Sequence, residues 1–510
     1  MSATKIVRIA HNAVTAKLLD PPQEVRQEVQ RVLSYKVAGA EHMAAFKSHS
    51  WDGRANFFDY VQGTFPRGFL QYVQAALAKI GYRVSPVRKP FPEPLGPELP
   101  KVDAFGYEGR YDYQPEVMNR LLRHGQIIAQ VATGGGKSRI AQICTARINR
   151  PTLFLTTRGV LMYQMAKKFT AMGKQVAILG DGSAQVSQEV TCAMVQTIGA
   201  WLSEPDFPES KDPAAFAKQM NRRKKMIEVL SRFEFVILEE AHEVSSETFY
   251  EIMGFCKNAH YRLALTATPF MKDDEEANMR LMAVSGPISI HITEEMLIGR
   301  GILAKPYFKY ASLVEKPEKL FRSSPWRRAY ELGITGHVTR NKIAVAEALR
   351  ARKYGLSVMV LVQHKEHGNV VEQMMTRNGL RAVFINGDAS QAERDQALRQ
   401  LERGEIDCLL GTTILDVGVD VPAVGMIILL GGGKAEVALR QRIGRGLREK
   451  KSGPNVAFIV DFADGHNEHL LKHYLQRRSI VEGTPGFGEN IVKDFDFTSL
   501  GFSPVELAAA

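Results

Sequence analysis

Ala132-Thr133-Gly134-Gly135-Gly136-Lys137-Ser138 follows an apolar run at 127–131 and precedes a stretch, 139–148, that reads as a helix. Three glycines let the backbone curl so that successive N–H groups face an anion, and the start of a helix adds its own unpaired N–H groups. Thr133 to Gly136 would form the cradle. Lys137 would reach the outer phosphates of a nucleotide, and the Ser138 hydroxyl would hold Mg²⁺. A plain glycine turn with a surface lysine does not account for the adjacent hydroxyl. Such a loop still leaves kinases, transporters and motors open.

A second constellation is Phe235-Val236-Ile237-Leu238-Glu239-Glu240-Ala241-His242, an apolar run ending in two carboxylates and a histidine. At the carboxyl end of a parallel strand such a pair would sit beside the phosphates. Glu239 would hold Mg²⁺, and Glu240 would orient and deprotonate the attacking water. The bland alternative is a solvated helix start. A third is Gln441-Arg442-Ile443-Gly444-Arg445-Gly446-Leu447-Arg448. Its cations three apart share one helical face and could point together at a phosphoryl group, unless they simply form a basic surface helix.

These groups need a scaffold, and the hydrophobic pattern supplies one. Short apolar runs at 127–131, 153–156, 235–238 and 263–266, then at 358–362, 382–385, 408–410, 426–430 and 456–460, alternate with amphipathic stretches. Strands buried on both faces and separated by helices predict parallel sheets. The fold class expected is α/β, with two tandem doubly wound lobes preceded by a small α+β domain. The boundaries expected are 1–85 for the small domain, 104–300 and 301–480 for the lobes, and 481–510 for an unassigned tail. Six prolines between 86 and 100 predict a semi-rigid linker over 86–103. Residues 201–225 predict a surface insertion. Helices are expected at 22–33, with Val25, Val29 and Val32 on one face, and at 69–80.

Composition narrows the partners. The chain of 510 residues carries a net charge of +11, and residues 1–100 already hold 13 Lys and Arg against 8 Asp and Glu. A cationic excess attracts polyanions by counterion release, though charge alone does not decide the matter. No apolar run approaches the roughly 20 residues of a membrane span, and 1–20 does not read as a signal peptide. Four isolated cysteines give neither a disulfide framework nor a zinc site. A cytoplasmic monomer is the expectation.

With Leu263-Ala264-Leu265-Thr266-Ala267-Thr268-Pro269 following the acidic box, the chain resembles the superfamily 2 helicases. The resemblance spans about 105–465 and implies two RecA-like lobes that use ATP and Mg²⁺. It departs at Glu239, where that family usually has aspartate. By the same resemblance Gln114, in Tyr111-Asp112-Tyr113-Gln114, would read adenine, its amide matching the N6 donor and N7 acceptor. Thr157 and Arg158, then Gln196 and Thr197, would touch the nucleic-acid backbone. In Gly411 to Asp420, Thr412 would do the same, while Gly418 and Asp420 would face the nucleotide. Arg445 and Arg448 would be arginine fingers. His242, Thr266, Thr268 and Gln441 would couple the lobes.

Met43 to Lys47, Trp51-Asp52-Gly53-Arg54 and Phe65-Pro66-Arg67-Gly68-Phe69-Leu70 resemble the small domain of UvsW-type phage helicases, which remodel branched DNA. Lys47, Arg54 and Arg67 would then contact DNA, while Trp51, Phe57, Phe58 and Phe69 build a small core. The function expected is an ATP-dependent DNA helicase or branch-migration translocase. An RNA helicase, or a DNA-binding scaffold with weakened ATPase, remains open.

Overall fold

The computed structural model describes residues 5–102, 108–206, 209, 211–241, 247–270, 274–412, 423–433, 439–440, 443–444, 446–450 and 453–505. The chain divides into two compact units, Met1–Val131 with Gly136–Ile292, and Ala132–Gly135 with Thr293–Ala510. The small N-terminal domain therefore belongs to the first unit, and the division falls at 292/293 rather than at 300/301.

The small domain begins with β1 (Lys5–His11) and β2 (Thr15–Leu19), antiparallel to each other. Next comes a helix at Gln23–Val32, whose Val25 and Val29 are buried as its periodicity predicts. The short strands β3 (Ser34–Lys36), β4 (Arg54–Asn56) and β5 (Thr64–Pro66) follow, then a helix at Leu70–Lys79 and β6 (Tyr82–Val87). Its main sheet runs β5-β2-β1-β6, with β6 parallel to β1. Pro86 thus lies inside an edge strand, beside Ile9, where a residue without an N–H is tolerated.

The proline-rich stretch beyond it is no free spacer. The Leu95 N–H bonds the Ile148 carbonyl at 3.1 Å, Arg147 donates to Gly96 O at 2.6 Å, and Tyr261 donates to Pro92 O at 2.8 Å. A Cβ at Gly96 would fall 1.8 Å from Ala146 O, so only glycine permits this approach. The stretch is a strap laid along the first lobe.

The first lobe's strands are β7 (Gln126–Val131), β8 (Thr152–Thr156), β9 (Val176–Gly180), β10 (Ser183–Ala184), β11 (Val190–Met194), β12 (Phe235–Glu239), β13 (Tyr261–Thr266) and β14 (Ile288–Ile292). Their order is β10-β9-β11-β8-β12-β13-β7-β14, parallel except for β10. The region expected as a surface insertion, 201–225, runs into a helix at Pro213–Leu230 that is exposed or half-buried up to Lys225; just beyond the expected bound, Met226 and Leu230 enter the lobe's core.

The small domain and this lobe share one core. Met279 and Ala283 of the helix Glu275–Ser285 pack with Val7, Val29 and Phe69. Gly68 lies so close to this helix that a Cβ would meet Met282 O at 2.1 Å. At the seam Arg67 donates to His11 Nδ1 at 3.2 Å and to His124 O at 2.8 Å, while Gln126 donates to Ala13 O at 2.7 Å. Only a neutral imidazole can accept from Arg67. Burial, then the Arg67 charge, with Arg88 and His260 adding to it, holds His11 down to about 4.

As pH falls below 6.5, the unfolded chain takes up a proton that the folded seam refuses until about 4. Stability is therefore lost across that window. His11→Gln, which keeps an acceptor, should flatten the decline of the melting temperature between pH 6.5 and 4. An acid limb identical in the variant would rule out the seam's role.

The second unit carries β15 (Lys305–Ser312), β16 (Val358–Leu361), β17 (Ala382–Ile385), β18 (Cys408–Gly411), β19 (Met426–Leu429), β20 (Val456–Ala463) and β21 (Ile491–Val492), in the order β17-β18-β16-β19-β20-β15-β21. All described pairings are parallel. The tail joins this lobe: β21 pairs with β15, and Phe495 and Phe497 are buried in its core. Both lobes are the doubly wound parallel sheets expected. No helix among the described residues is long and apolar enough to cross a membrane.

Candidate functional site

The first lobe collects its chemistry on one edge. β7 ends at the glycine loop, β13 at Thr266, β12 at Glu239, β8 at Thr156 and β11 at Met194, and these five strands are contiguous in one parallel sheet. Loops at the carboxyl ends of such strands form a crevice at the point where the chain order reverses.

Gly134 and Gly136 have φ of 84° and 82°, left-handed values that a side chain would strain. Gly136 caps the helix Lys137–Ile148 with no side-chain cap, so the helix's first N–H groups depend on another partner. Lys137 and Ser138 are half-buried at this helix start. The Gln114 amide lies on the loop, because a Cβ at Gly136 would meet its Nε2 at 2.5 Å. Gln114 is 2% exposed, and its Oε1 is buried with no partner. Tyr111 has Arg110 and Arg139 over its ring at 4.9 and 5.3 Å.

Glu239 is buried, with Oε2 unpartnered. Burial is the main cause that pushes its carboxyl up to about 8; Glu240 raises it further, and Lys137 opposes both. Glu240 has φ 50°, a left-handed conformation that costs a non-glycine residue about 1–2 kcal/mol. Thr266 is buried, and its Oγ1 accepts from the Thr268 N–H at 3.2 Å, while the Thr268 hydroxyl oxygen is buried without a partner. Gln130 of β7 donates to Ala267 O at 3.1 Å, tying the strand before the glycine loop to this segment.

The two expected backbone-contact segments meet. Thr156 and Met194 are register partners, and Gln196 Nε2 donates to Thr157 O at 3.0 Å. The Arg158 N–H bonds Thr156 Oγ1 at 3.3 Å. Thr197 lies one residue further, in the helix Val195–Leu202.

The small domain gives a different result. Lys47 is exposed. Arg54 is exposed, but it donates to Ser34 Oγ at 2.7 Å and Ser34 O at 2.9 Å. Arg67 is 4% exposed and spends its guanidinium at the seam, which corrects the expectation that it touches DNA. A sequence does not distinguish a cation that binds a partner from one that binds its own backbone. Trp51 is half-buried, its indole N–H donating to Arg54 O at 2.6 Å, whereas Phe58 and Phe69 are core residues as expected.

In the second lobe Thr412 is buried just after β18. Arg448 is half-buried and forms an isolated bridge with Leu303. His242, Gly418, Asp420, Gln441, Arg442 and Arg445 lie outside the described residues. What the sequence reading missed is the bracing of the loop ahead of the arginine block. The carbonyls of Leu430, Gly431, Gly432 and Gly433 accept from Arg340, Tyr330 (2.8 Å), Gln363 (3.5 Å) and Arg477 (2.9 Å) respectively. Arg340 and Arg477 are themselves buried against Asp464 and Asp461 at 3.0 and 2.8 Å. These four come from separate places in the chain, so no local spacing announces them.

Residues 109–271 match the family described as type III restriction enzyme, res subunit, and residues 341–450 match the helicase conserved C-terminal domain. The ATP-dependent DNA helicase UvsW of Enterobacteria phage T4 is 21% identical over 495 residues, covering 90% of this chain and 94% of that protein. Together these matches support a superfamily 2 helicase. It is accordingly an ATP-hydrolysing enzyme, and it resembles UvsW. A Sulfolobus islandicus filamentous virus protein described as helicase 22 is 24% identical over 281 residues, covering 52% of this helicase and 48% of its own length. The chain thus spans about half of that relative and nearly all of the phage one. The solved structure of helicase MrfA bound to DNA, 12% identical, covers 74% of this chain and 50% of that one with a TM-score of 0.51, which shows a shared fold.

Proposed function

We propose that this helicase is an ATP-driven DNA motor that unwinds or branch-migrates forked and junction DNA in recombination and repair. The observation that carries the reading is the shared strand-end edge of the first lobe. The glycine loop, the carboxylate pair, Thr266 with Thr268, and the two backbone-contact loops follow five contiguous strands. Nucleotide chemistry and nucleic-acid contact then rest on one rigid sheet, so a change at the phosphates reaches the contact loops without passing through a flexible linker. The T4 relative, aligned over nine-tenths of both chains, is a DNA helicase, which supports DNA as the polymer.

In this reading the loop N–H groups and Lys137 bind the triphosphate, and Gln114 reads its base. Glu240 takes the proton of the attacking water, and Arg445 with Arg448 stabilise charge on the transferring group. The residues fit a divalent cation, because a buried, unpartnered carboxylate oxygen on Glu239 lacks only a positive ligand. Ser138 and Glu239 would hold Mg²⁺, which when bound neutralises phosphate charge. His242, Thr266, Thr268 and Gln441 would relay the nucleotide state, while Thr157, Arg158, Gln196, Thr197, Thr412 and the exposed Lys47 would hold the backbone.

Steady-state ATPase should be measured with single-stranded, linear duplex, forked and four-way DNA, and with RNA. Forked and four-way DNA should stimulate most, and RNA least. Stimulation by forks no greater than by linear duplex defeats the junction assignment, and stronger stimulation by RNA selects an RNA helicase instead.

A further inference from the structure

Between β15 and the helix Val338–Lys353 the chain makes an excursion with its own small core of Leu320, Ala329, Tyr330, Ile334 and Leu470, a cluster distinct from that of the main sheet. Above this core two aromatic side chains face solvent: Phe321 is 60% exposed and Trp326 is 38% exposed. Five exposed cations, Lys316, Lys319, Arg322, Arg327 and Arg328, lie within five residues of one ring or the other along the excursion, and the Lys316 Nζ is 5.7 Å from the centre of the Phe321 ring. Glu315, Glu318 and Glu331 are also there, and Arg322 lies 3.4 Å from Glu468 in an exposed pair, of the weak kind readily exchanged for a phosphate.

The excursion is held, not loose. Asn467, 1% exposed, donates to the carbonyls of Phe321, Arg322 and Ser324 at 3.0, 2.9 and 3.0 Å. Its Oδ1 accepts from the N–H groups of His469 and Leu470, capping the helix Glu468–Glu482. Ser324 closes the turn reciprocally, its Oγ accepting from Phe321 N and its N–H bonding Phe321 O. Trp326 is fixed from below by the His473 ring at 4.6 Å and the Tyr330 ring at 5.3 Å. The helix Trp326–Tyr330 runs into a π-turn at Glu331–Thr335, where Gly333 admits Leu470. Fixing exposed aromatic groups with a buried amide whose bonds are all used costs stability, and it pre-pays the ordering that binding would otherwise require.

We infer that Phe321 and Trp326 form a base-stacking platform for a single strand of DNA, with Arg327, Arg328 and Arg322 on its phosphates. Flat rings interleaved with cations match a polymer that alternates flat bases and phosphates, and each stacked base is worth about 1–3 kcal/mol. A duplex hides its base faces, so the platform selects unpaired strand. The inference rests on the proposed action on DNA and adds to it a contact outside every motif singled out in the sequence.

The test is the intrinsic fluorescence of the full chain, titrated with a single-stranded oligonucleotide, a duplex of equal length, and heparin as a polyanion without bases. The single strand should quench Trp326, heparin should bind without that quenching, and Trp326→Phe should remove it. Phe321→Ala should weaken single-strand affinity by about 5- to 100-fold, and Phe321→Tyr should restore most of the loss. Quenching that survives in Trp326→Phe overturns the proposal, as does an equal loss of duplex affinity in Phe321→Ala. Affinity unchanged in both variants also overturns it and leaves the face to a protein partner. If the unmodified chain binds no DNA at all, the proposed function falls first; binding with indifferent variants sinks the platform alone.

Discussion

Alanine at Arg445 or at Arg448 is expected to slow ATP hydrolysis by about 10³- to 10⁵-fold while leaving nucleotide affinity nearly unchanged. A guanidinium that meets charge developing on the transferring phosphoryl group acts in the transition state and adds little to ground-state binding, so the loss appears in kcat. Arg448 joins its neighbour Leu303 through the backbone, and alanine keeps that pairing, so the variant reports on the side chain. Lysine should rescue poorly, because an ammonium does not reproduce the planar fork. The measurement is kcat and KM for ATP at saturating DNA. A kcat within tenfold of the unmodified enzyme in both variants would remove the finger assignment.

The next largest effect is expected from Glu240→Gln. The substitution preserves shape and the left-handed backbone at φ 50°, but it removes the only proton-accepting function of the side chain. Turnover should fall by about 10²- to 10⁴-fold, the range for a positioned general base. ATP should still bind, because the glycine loop and Lys137 are untouched, so the variant should accumulate in its ATP-bound form and stay on DNA. Single-turnover hydrolysis with a parallel measurement of DNA retention tests this. Hydrolysis at the normal rate would show that another group takes the proton.

The candidate site of the first lobe was legible because its proposed chemistry demands fixed residue types at short spacing. Glycines at 134 and 136 are required by backbone angles that only glycine adopts freely, and the pair at 239 and 240 closes a strand whose apolar run is visible in the sequence. Strands β7, β8, β12 and β13, and in the second lobe β16 to β20, follow from uninterrupted apolar runs. β9, β11, β14 and β15 do not announce themselves. Val176–Gly180 and Val190–Met194 are only five residues each and are not among the runs read from the sequence, although Val176 to Leu179 is apolar throughout; pairing of β9 with β11, and of β11 with β8, fixes them as strands. Prolines at 90 to 97 read as a spacer, yet the carbonyls of Gly96, Glu93 and Pro92 accept from Arg147, Arg150 and Tyr261 respectively.

Local pattern, then, determined the α/β class, the two-lobe plan, the family resemblance and the candidate nucleotide residues of the first lobe, since each depends on short-range stereochemistry or on the period of burial. Long-range packing alone decided which arginines serve the fold and which remain exposed. Arg67 and Arg340 are buried among backbone carbonyls and an aspartate or histidine, while Arg327 and Arg328 face solvent beside Trp326. The reason is that a guanidinium has the same donors wherever it stands, and only the partners brought to it from distant parts of the chain determine what those donors do.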